Sequence, residues 1–209
     1  MRPLTSDILL RAYASGIFPM ARTRDDPRIY WIDPDQRGIL PLDSFHISKS
    51  LGKALRHSTL EIRCDTAFEA VMRGCADSAE DRPETWINEE IISLFVELFR
   101  YGLAHSVETW RDGRLMGGLY GLGLGAAFFG ESMFSRETNA SKIALVHLVA
   151  RLKRGGYHLL DTQFVTEHLT QFGAMEIPRQ DYQDRLAAAL DEHATFPREA
   201  DIPWQEALG

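Results

Sequence analysis

From Leu115 to Gly130 the chain has six glycines and no charged side chain, and the first charge to follow is Glu131. The run is too short and too rich in glycine to cross a membrane. Its glycines mark a close approach to the backbone, a bulge, or the tip of a hairpin. With its flanks it reads as a strand returning from the turn at Arg111–Arg114, a second turn near Gly121–Gly125, and a strand over Ala126–Ser135. The Asp112-Gly113 pair is the hairpin signal for the first turn. Strict alternation sets Phe129, Glu131 and Met133 on one face of the last strand. A carboxylate on an apolar face is costly unless it is paired. Two readings answer that cost. One is an ion pair with Arg136 or a bond to a backbone amide; the other is an apolar pocket whose wall carries an acid for a ligand with an amine.

The remaining segments supply both helices and strands. Residues 4–15 read as a short helix ending at Gly16, followed by an apolar Ile17–Met20 that Pro19 keeps out of a helix. Ile29–Ile32 is a short strand cut off by Asp33-Pro34-Asp35. From Gly38 the rhythm alternates: strand 39–42, helix 44–57, strand 60–63, and a helix after Asp65 with Phe68, Val71, Met72 and Cys75 at helical spacing. Residues 76–85 form a polar loop. A helix from Asn88 to Gly102, strand 105–110, helix 139–154, strand 157–163 and helices near 166–172 and 179–192 complete the pattern. The tail with Pro197, Pro203 and Trp204 shows no period and reads as coil. The expected architecture is a mixed α/β domain, helices flanking a sheet with a central meander and a crossover strand.

Charge narrows the function classes. The chain of 209 residues has a net charge of −7, which excludes an unspecialised nucleic-acid coat protein. Its acids concentrate at the C-terminus, with eight acids against three bases from Glu176 onward. Bases gather as Arg22, Arg24, Arg28; Lys49, Lys53, Arg56; and Arg151, Lys153, Arg154. The second group is spaced as a helical stripe, either a solvated face or a local phosphate-binding strip. No segment has the length and apolarity of a membrane span, and Asp7 and Arg11 interrupt any secretory signal. Cys64 and Cys75 fit reduced thiols in the cytoplasm.

Several catalytic signatures are missing from the sequence. Gly121-Leu-Gly123-Leu-Gly125 follows a hairpin and lacks the dinucleotide spacing. There is no Walker loop, no G-x-S-x-G and no H-E-x-x-H, and the histidines lack zinc-ligand spacing. Asp161 and Gln163 point the same way from a core strand, as a hydrogen-bond network or as a site. Tyr13, Tyr30, Trp31 and Trp86 lie in or beside loops, where they either pack or stack on a ring.

Taken together, these blocks resemble the leucyl/phenylalanyl-tRNA–protein transferases. The matching stretches include Tyr13-Ala-Ser-Gly-Ile-Phe-Pro19, Trp31-Ile-Asp-Pro34, Phe45-His-Ile-Ser-Lys-Ser50 and Thr85-Trp-Ile87. Ala104-His-Ser-Val-Glu-Thr-Trp110, Phe129-Gly-Glu-Ser-Met-Phe-Ser-Arg136, Asn139-Ala-Ser-Lys142, Leu160-Asp-Thr-Gln163 and Gly173-Ala-Met-Glu-Ile-Pro-Arg179 continue in family order. The resemblance implies a small N-terminal domain, residues 1–37, and a GNAT-like (N-acetyltransferase-like) domain, residues 38–209, with no cofactor. It implies an enzyme that moves Leu or Phe, sometimes Met, from aminoacyl-tRNA to proteins with N-terminal Arg or Lys; a monomer without membrane attachment is the expectation set beside it. The product is then marked for N-end rule degradation.

The resemblance also implies site roles. Leu119, Phe128, Met133 and Leu160 would line the pocket for the transferred side chain, with Glu131 beside its α-amine. Trp86 and Tyr13 would hold the terminal adenosine, in an environment completed by Met20 and Phe95, where tryptophan and tyrosine often stand. Asp161 and Gln163 match the pair assigned to the reaction, Asp161 orienting Gln163 and attracting the acceptor's cationic end. Alternation puts Phe128 opposite Glu131 and Met133, so a shared pocket requires a bulge between Phe128 and Glu131, most easily at Gly130. Two other functions stay open: a related GNAT-like transferase acting on N-terminal Asp/Glu or a cell-wall peptide, and a non-catalytic tRNA-binding module.

Overall fold

The computed structural model describes residues 4–26, 28–77, 85–199 and 201–208. Most of the polar loop expected at 76–85 lies outside them. The chain opens with helix α1 (Ser6–Ala14), capped by the Thr5 hydroxyl, and a two-stranded ribbon of β1 (Phe18–Met20) and β2 (Tyr30–Ile32). β3 (Gln36–Ile39) then joins the main sheet, starting three residues before the expected strand.

Next come α2 (Lys49–His57), β4 (Glu61–Cys64), α3 (Phe68–Ala76) and α4 (Glu89–Arg100). Ser48 and Asn88 cap α2 and α4 through their side chains, each worth about 1 kcal/mol. α3 is different. The buried Glu108 carboxylate accepts from the Thr66 and Ala67 backbone N–H groups ahead of the helix's first turn.

The meander is β5 (Ala104–Arg111), β6 (Arg114–Leu124) and β7 (Ala127–Ser135). β6 runs straight through Gly121 and Gly123, so the second turn lies at Gly125-Ala126, later than expected. α5 (Ala140–Arg154) crosses over to β8 (Leu159–Gln163), which pairs parallel with β7. A short α6 (Glu167–Thr170), an edge strand β9 (Met175–Pro178) and α7 (Arg179–Leu190) follow. The tail ends in a 3-10 turn, Trp204–Ala207, packed on α5. Sheet order is β4-β5-β6-β7-β8-β3-β9, antiparallel except for β7 with β8.

Each face of the sheet covers its own core. Tyr120, Leu122 and Phe129 pack with α1, α3, α4 and α7; Val107, Leu119, Phe128 and Leu160 pack with α2, α5 and the tail. Among the described residues no helix is long and apolar enough to cross a membrane.

Candidate functional site

Two bulges on neighbouring strands make the site. On β7, Gly130 faces Gly121 and Ser132 faces Tyr120, which leaves Glu131 as the extra residue. On β8, Asp161 faces Ile39 and Gln163 faces Gly38, which leaves Thr162 extra. The parallel ladder between β7 and β8 ends at Phe129 and Asp161, immediately before both bulges. Beyond that point β7 pairs only with β6, and β8 only with β3. A cavity of about 1050 Å³ lies between them, bounded also by β1, α5 and α6.

The first bulge resolves the alternation conflict at a neighbouring position, Glu131 in place of Gly130. It reverses the facing of the later residues of β7, so Phe128 and Met133 reach one core and Phe129 the other. Gly121 is required here. A Cβ on it would lie 2.3 Å from the Phe129 carbonyl oxygen and 2.4 Å from the Phe128 ring.

Of the expected residues, Met20, Trp86, Leu119, Glu131, Met133, Leu160 and Gln163 line this cavity. Leu145, Leu148 and Leu169 extend its apolar wall from α5 and α6, and Phe18 and Phe164 stand at β1 and after β8. Four expected residues are placed otherwise. Phe128 is fully buried behind the wall, edge-on to Tyr157 and stacked on Phe196, so the bulge does not bring it to the cavity. Tyr13 is fully buried too, and its hydroxyl donates to Glu131 Oε1 at 2.7 Å. Its ring does not line the cavity, where the sequence reading has it hold the terminal adenosine. Phe95 packs edge-on to Tyr13 and Tyr120 and reaches the site only through them.

Asp161 is the fourth. Its carboxylate is sealed from solvent and bound in a fork by Arg37, Nε to Oδ1 at 2.9 Å and Nη2 to Oδ2 at 2.6 Å. The Tyr182 hydroxyl adds a bond to Oδ2 at 2.7 Å. The Asp161 charge is matched by Arg37 and the residue does not line the cavity, whereas the sequence reading has it attract the acceptor's cationic end. It does orient Gln163, whose backbone N–H donates to Oδ1 at 2.8 Å. Arg37 is not among the residues expected at the site. The usable signal was a carboxylate on a core strand without a named cation, since a buried acid demands one.

The electrostatics follow from burial. Desolvation raises Glu131 to about 8, against the bond from Tyr13, which lowers it. Burial and the nearby Glu131 carboxylate hold the Tyr13 phenol well above its ordinary range. Burial opposes the Arg37 charge, but the Asp161 carboxylate outweighs it and the guanidinium titrates above its usual value. Desolvation and Lys142 keep His168, also in the wall, below the usual histidine range. An apolar cavity with one high-pKa acid is suited to an apolar ligand bearing a basic amine.

The basic groups separate. Lys49, Lys53 and Arg56 are exposed along α2. The third group is tied to the tail: Arg151 donates to the Glu199 carbonyl, Lys153 to the Leu208 carbonyl, and Arg154 pairs with Glu206.

Comparison with known proteins agrees with the sequence blocks. Residues 39–187 match the family profile of the leucyl/phenylalanyl-tRNA protein transferases, and residues 2–35 match the profile of that family's N-terminal domain. A leucyl/phenylalanyl-tRNA–protein transferase of Paramagnetospirillum magneticum is 71% identical over 208 residues, covering 100% of both chains. Enzymes of the same name from Rhodospirillum rubrum and Maricaulis maris are 58% and 60% identical, over 97% and 94% of this chain and 94% and 91% of theirs. The chain belongs to the leucyl/phenylalanyl-tRNA–protein transferase family.

Proposed function

We propose that this enzyme moves Leu or Phe, and Met as a lesser substrate, from aminoacyl-tRNA to the N-terminal Arg or Lys of acceptor proteins in the cytoplasm, marking them for N-end rule degradation. It acts as a monomer, with residues 1–37 as a small N-terminal domain and residues 38–209 as a GNAT-like domain. The strand–helix–strand crossover that brings β8 beside β7, with the cavity where they part, supports the GNAT-like reading. One observation carries the functional reading: Glu131 is set by a bulge into the wall of a cavity made of Leu119, Met133, Leu160, Leu145 and Leu148.

In this reading the aliphatic or aromatic side chain fills the apolar end and its α-amine meets Glu131. Trp86 and Met20 take the terminal adenosine. The ester is already activated, so positioning does most of the work. The acceptor amine attacks the ester carbonyl carbon, the C–N bond forms and the ester C–O bond breaks. The ribose oxygen leaves as a hydroxyl with the amine's proton. The Gln163 amide lies beside this path, its carbonyl accepting from the attacking amine. In an apolar pocket one methylene is worth about 1–3 kcal/mol of discrimination, and isoleucine and valine are rejected by shape at the β-branch.

The test is transfer of radiolabelled leucine from leucyl-tRNA to peptides with N-terminal Arg, Lys or Asp. Product on the Arg and Lys peptides supports the reading. Product on the Asp peptide alone points to another acceptor class, and tRNA binding without product points to a binding module.

A further inference from the structure

Every bonding direction of the Asp161 carboxylate is taken. Oδ1 accepts from Arg37 Nε and from the Gln163 backbone, and Oδ2 from Arg37 Nη2 and the Tyr182 hydroxyl. A carboxylate has about four lone-pair sites, and four donors fill them. Arg37 is equally enclosed. Its Nη1 donates to the Gly16 carbonyl at 2.7 Å, and its guanidinium lies 4.6 Å from the Phe18 ring centre and 4.5 Å from that of Tyr182.

What this network holds is a backbone conformation. Gln163 has φ of 59°, in the left-handed region that a residue with a side chain avoids. Opposite it, a Cβ on Gly38 would lie 2.6 Å from the Phe164 carbonyl carbon, so β3 can approach the kink only with glycine there. The bulge at Thr162 and this kink bring Gln163 to the cavity wall, although strict alternation would set it on the strand face of the sealed Asp161. Its amide nitrogen is buried without a hydrogen-bond partner, a state that a bound ligand would relieve.

We propose that Arg37 and Tyr182 are positioning residues for the transfer reaction, and that Asp161 serves it as the anchor of Gln163, not as a charge acting on either substrate. The inference rests on the transferase reading above. It has a specific consequence: the Asp161 charge is dispensable once the Arg37 charge is removed with it, as long as position 161 still accepts from the Gln163 N–H. The asparagine of an Asp161→Asn variant would do so through its Oδ1 while its amide donates to the Tyr182 oxygen. Methionine at position 37 would fill the slot between the Phe18 and Tyr182 rings.

The experiment measures steady-state leucine transfer to an N-terminal Arg peptide, with melting curves, for wild type, Asp161→Asn, Arg37→Met/Asp161→Asn and Tyr182→Phe. Asp161→Asn alone strands a buried cation, so it melts earlier and slows about 100-fold or more. The double variant returns to within about tenfold of wild type, because a buried pair replaced by neutral groups of similar volume costs little. Tyr182→Phe lowers kcat several-fold, with an unchanged KM for leucyl-tRNA and an unchanged pH–rate profile. A double variant that is folded yet as slow as Asp161→Asn overturns the proposal. So does one about 100-fold below wild type where the single variant fails to fold. A displaced acid limb in the Tyr182→Phe profile also overturns it, whatever the double variant does, because it marks Asp161 as a group that titrates during turnover. Wild-type protein that transfers leucine to no peptide contradicts the transferase reading instead, so the two failures are distinct.

Discussion

Burial favours the neutral form of Glu131, and that has a measurable sign. Its folded value of about 8 lies above its ordinary 4.5, so between these two pH values the folded chain keeps a proton that the unfolded chain gives up. Its contribution to stability is therefore full below about pH 4.5 and is lost as pH rises through about 8. Glu131→Gln removes this slope, so melting temperatures at pH 5 and pH 8 should lie closer together in the variant than in wild type. An equal or larger separation contradicts the burial argument. Gln163→Ala should retain the fold and lose about 100-fold or more in kcat, checked by single-turnover transfer. The acid and amide at the site were legible as residues because each interrupts an apolar pattern. Their partners were not. The resemblance puts Tyr13 and Phe95 in the adenosine environment, but Tyr13 buries its ring against Phe95 and Phe129, and its hydroxyl is what reaches the site. Arg37 stands between a proline turn and an apolar strand, with nothing local to mark it as buried.

Bulges, which alternation cannot express, decide the element scale. Period-2 reading places Phe129 with Met133, and the structure separates them because Glu131 is an additional residue in the ladder. The glycine run signalled close approach correctly but not its position; Gly121 lies in mid-strand against Phe128 and Phe129 and is not in a turn. Gly121→Ala should therefore destabilise by about 1–3 kcal/mol, the cost of overpacking a filled core. Any surviving activity should be reduced further, because the atoms it meets carry the bulge. A chemical-denaturation midpoint equal to wild type would show that the bulge is not held this way. Helices α4 and α5 were legible from their periodicity and stop signals. β9 was not, being four residues at a sheet edge with one buried side chain, Ile177.

Over the whole molecule, the opening segment holds both acids of the site. Tyr13 of α1 binds Glu131, while the Gly16 carbonyl and the Phe18 ring hold the arginine that binds Asp161. A chain of residues 38–209 alone should lose transfer and melt at lower temperature, because Asp161 is left buried without its cation; near-normal activity would refute this dependence. Lys49, Lys53 and Arg56 form an exposed basic stripe on α2, which in the proposed reading meets the tRNA body. Replacing Lys49, Lys53 and Arg56 by alanine should weaken leucyl-tRNA binding and reduce the slope of log affinity against log salt by about 2, seen in filter-binding titrations. The central claim is that the β7–β8 cavity holds the aminoacyl end with its amine at Glu131. A non-hydrolysable amide-linked leucyl-adenosine and its des-amino counterpart test it most directly, each titrated against wild type and Glu131→Gln. The account predicts that removing the amine weakens binding to wild type at least about tenfold and has little further effect in the variant. Equal loss of affinity in both proteins would contradict it.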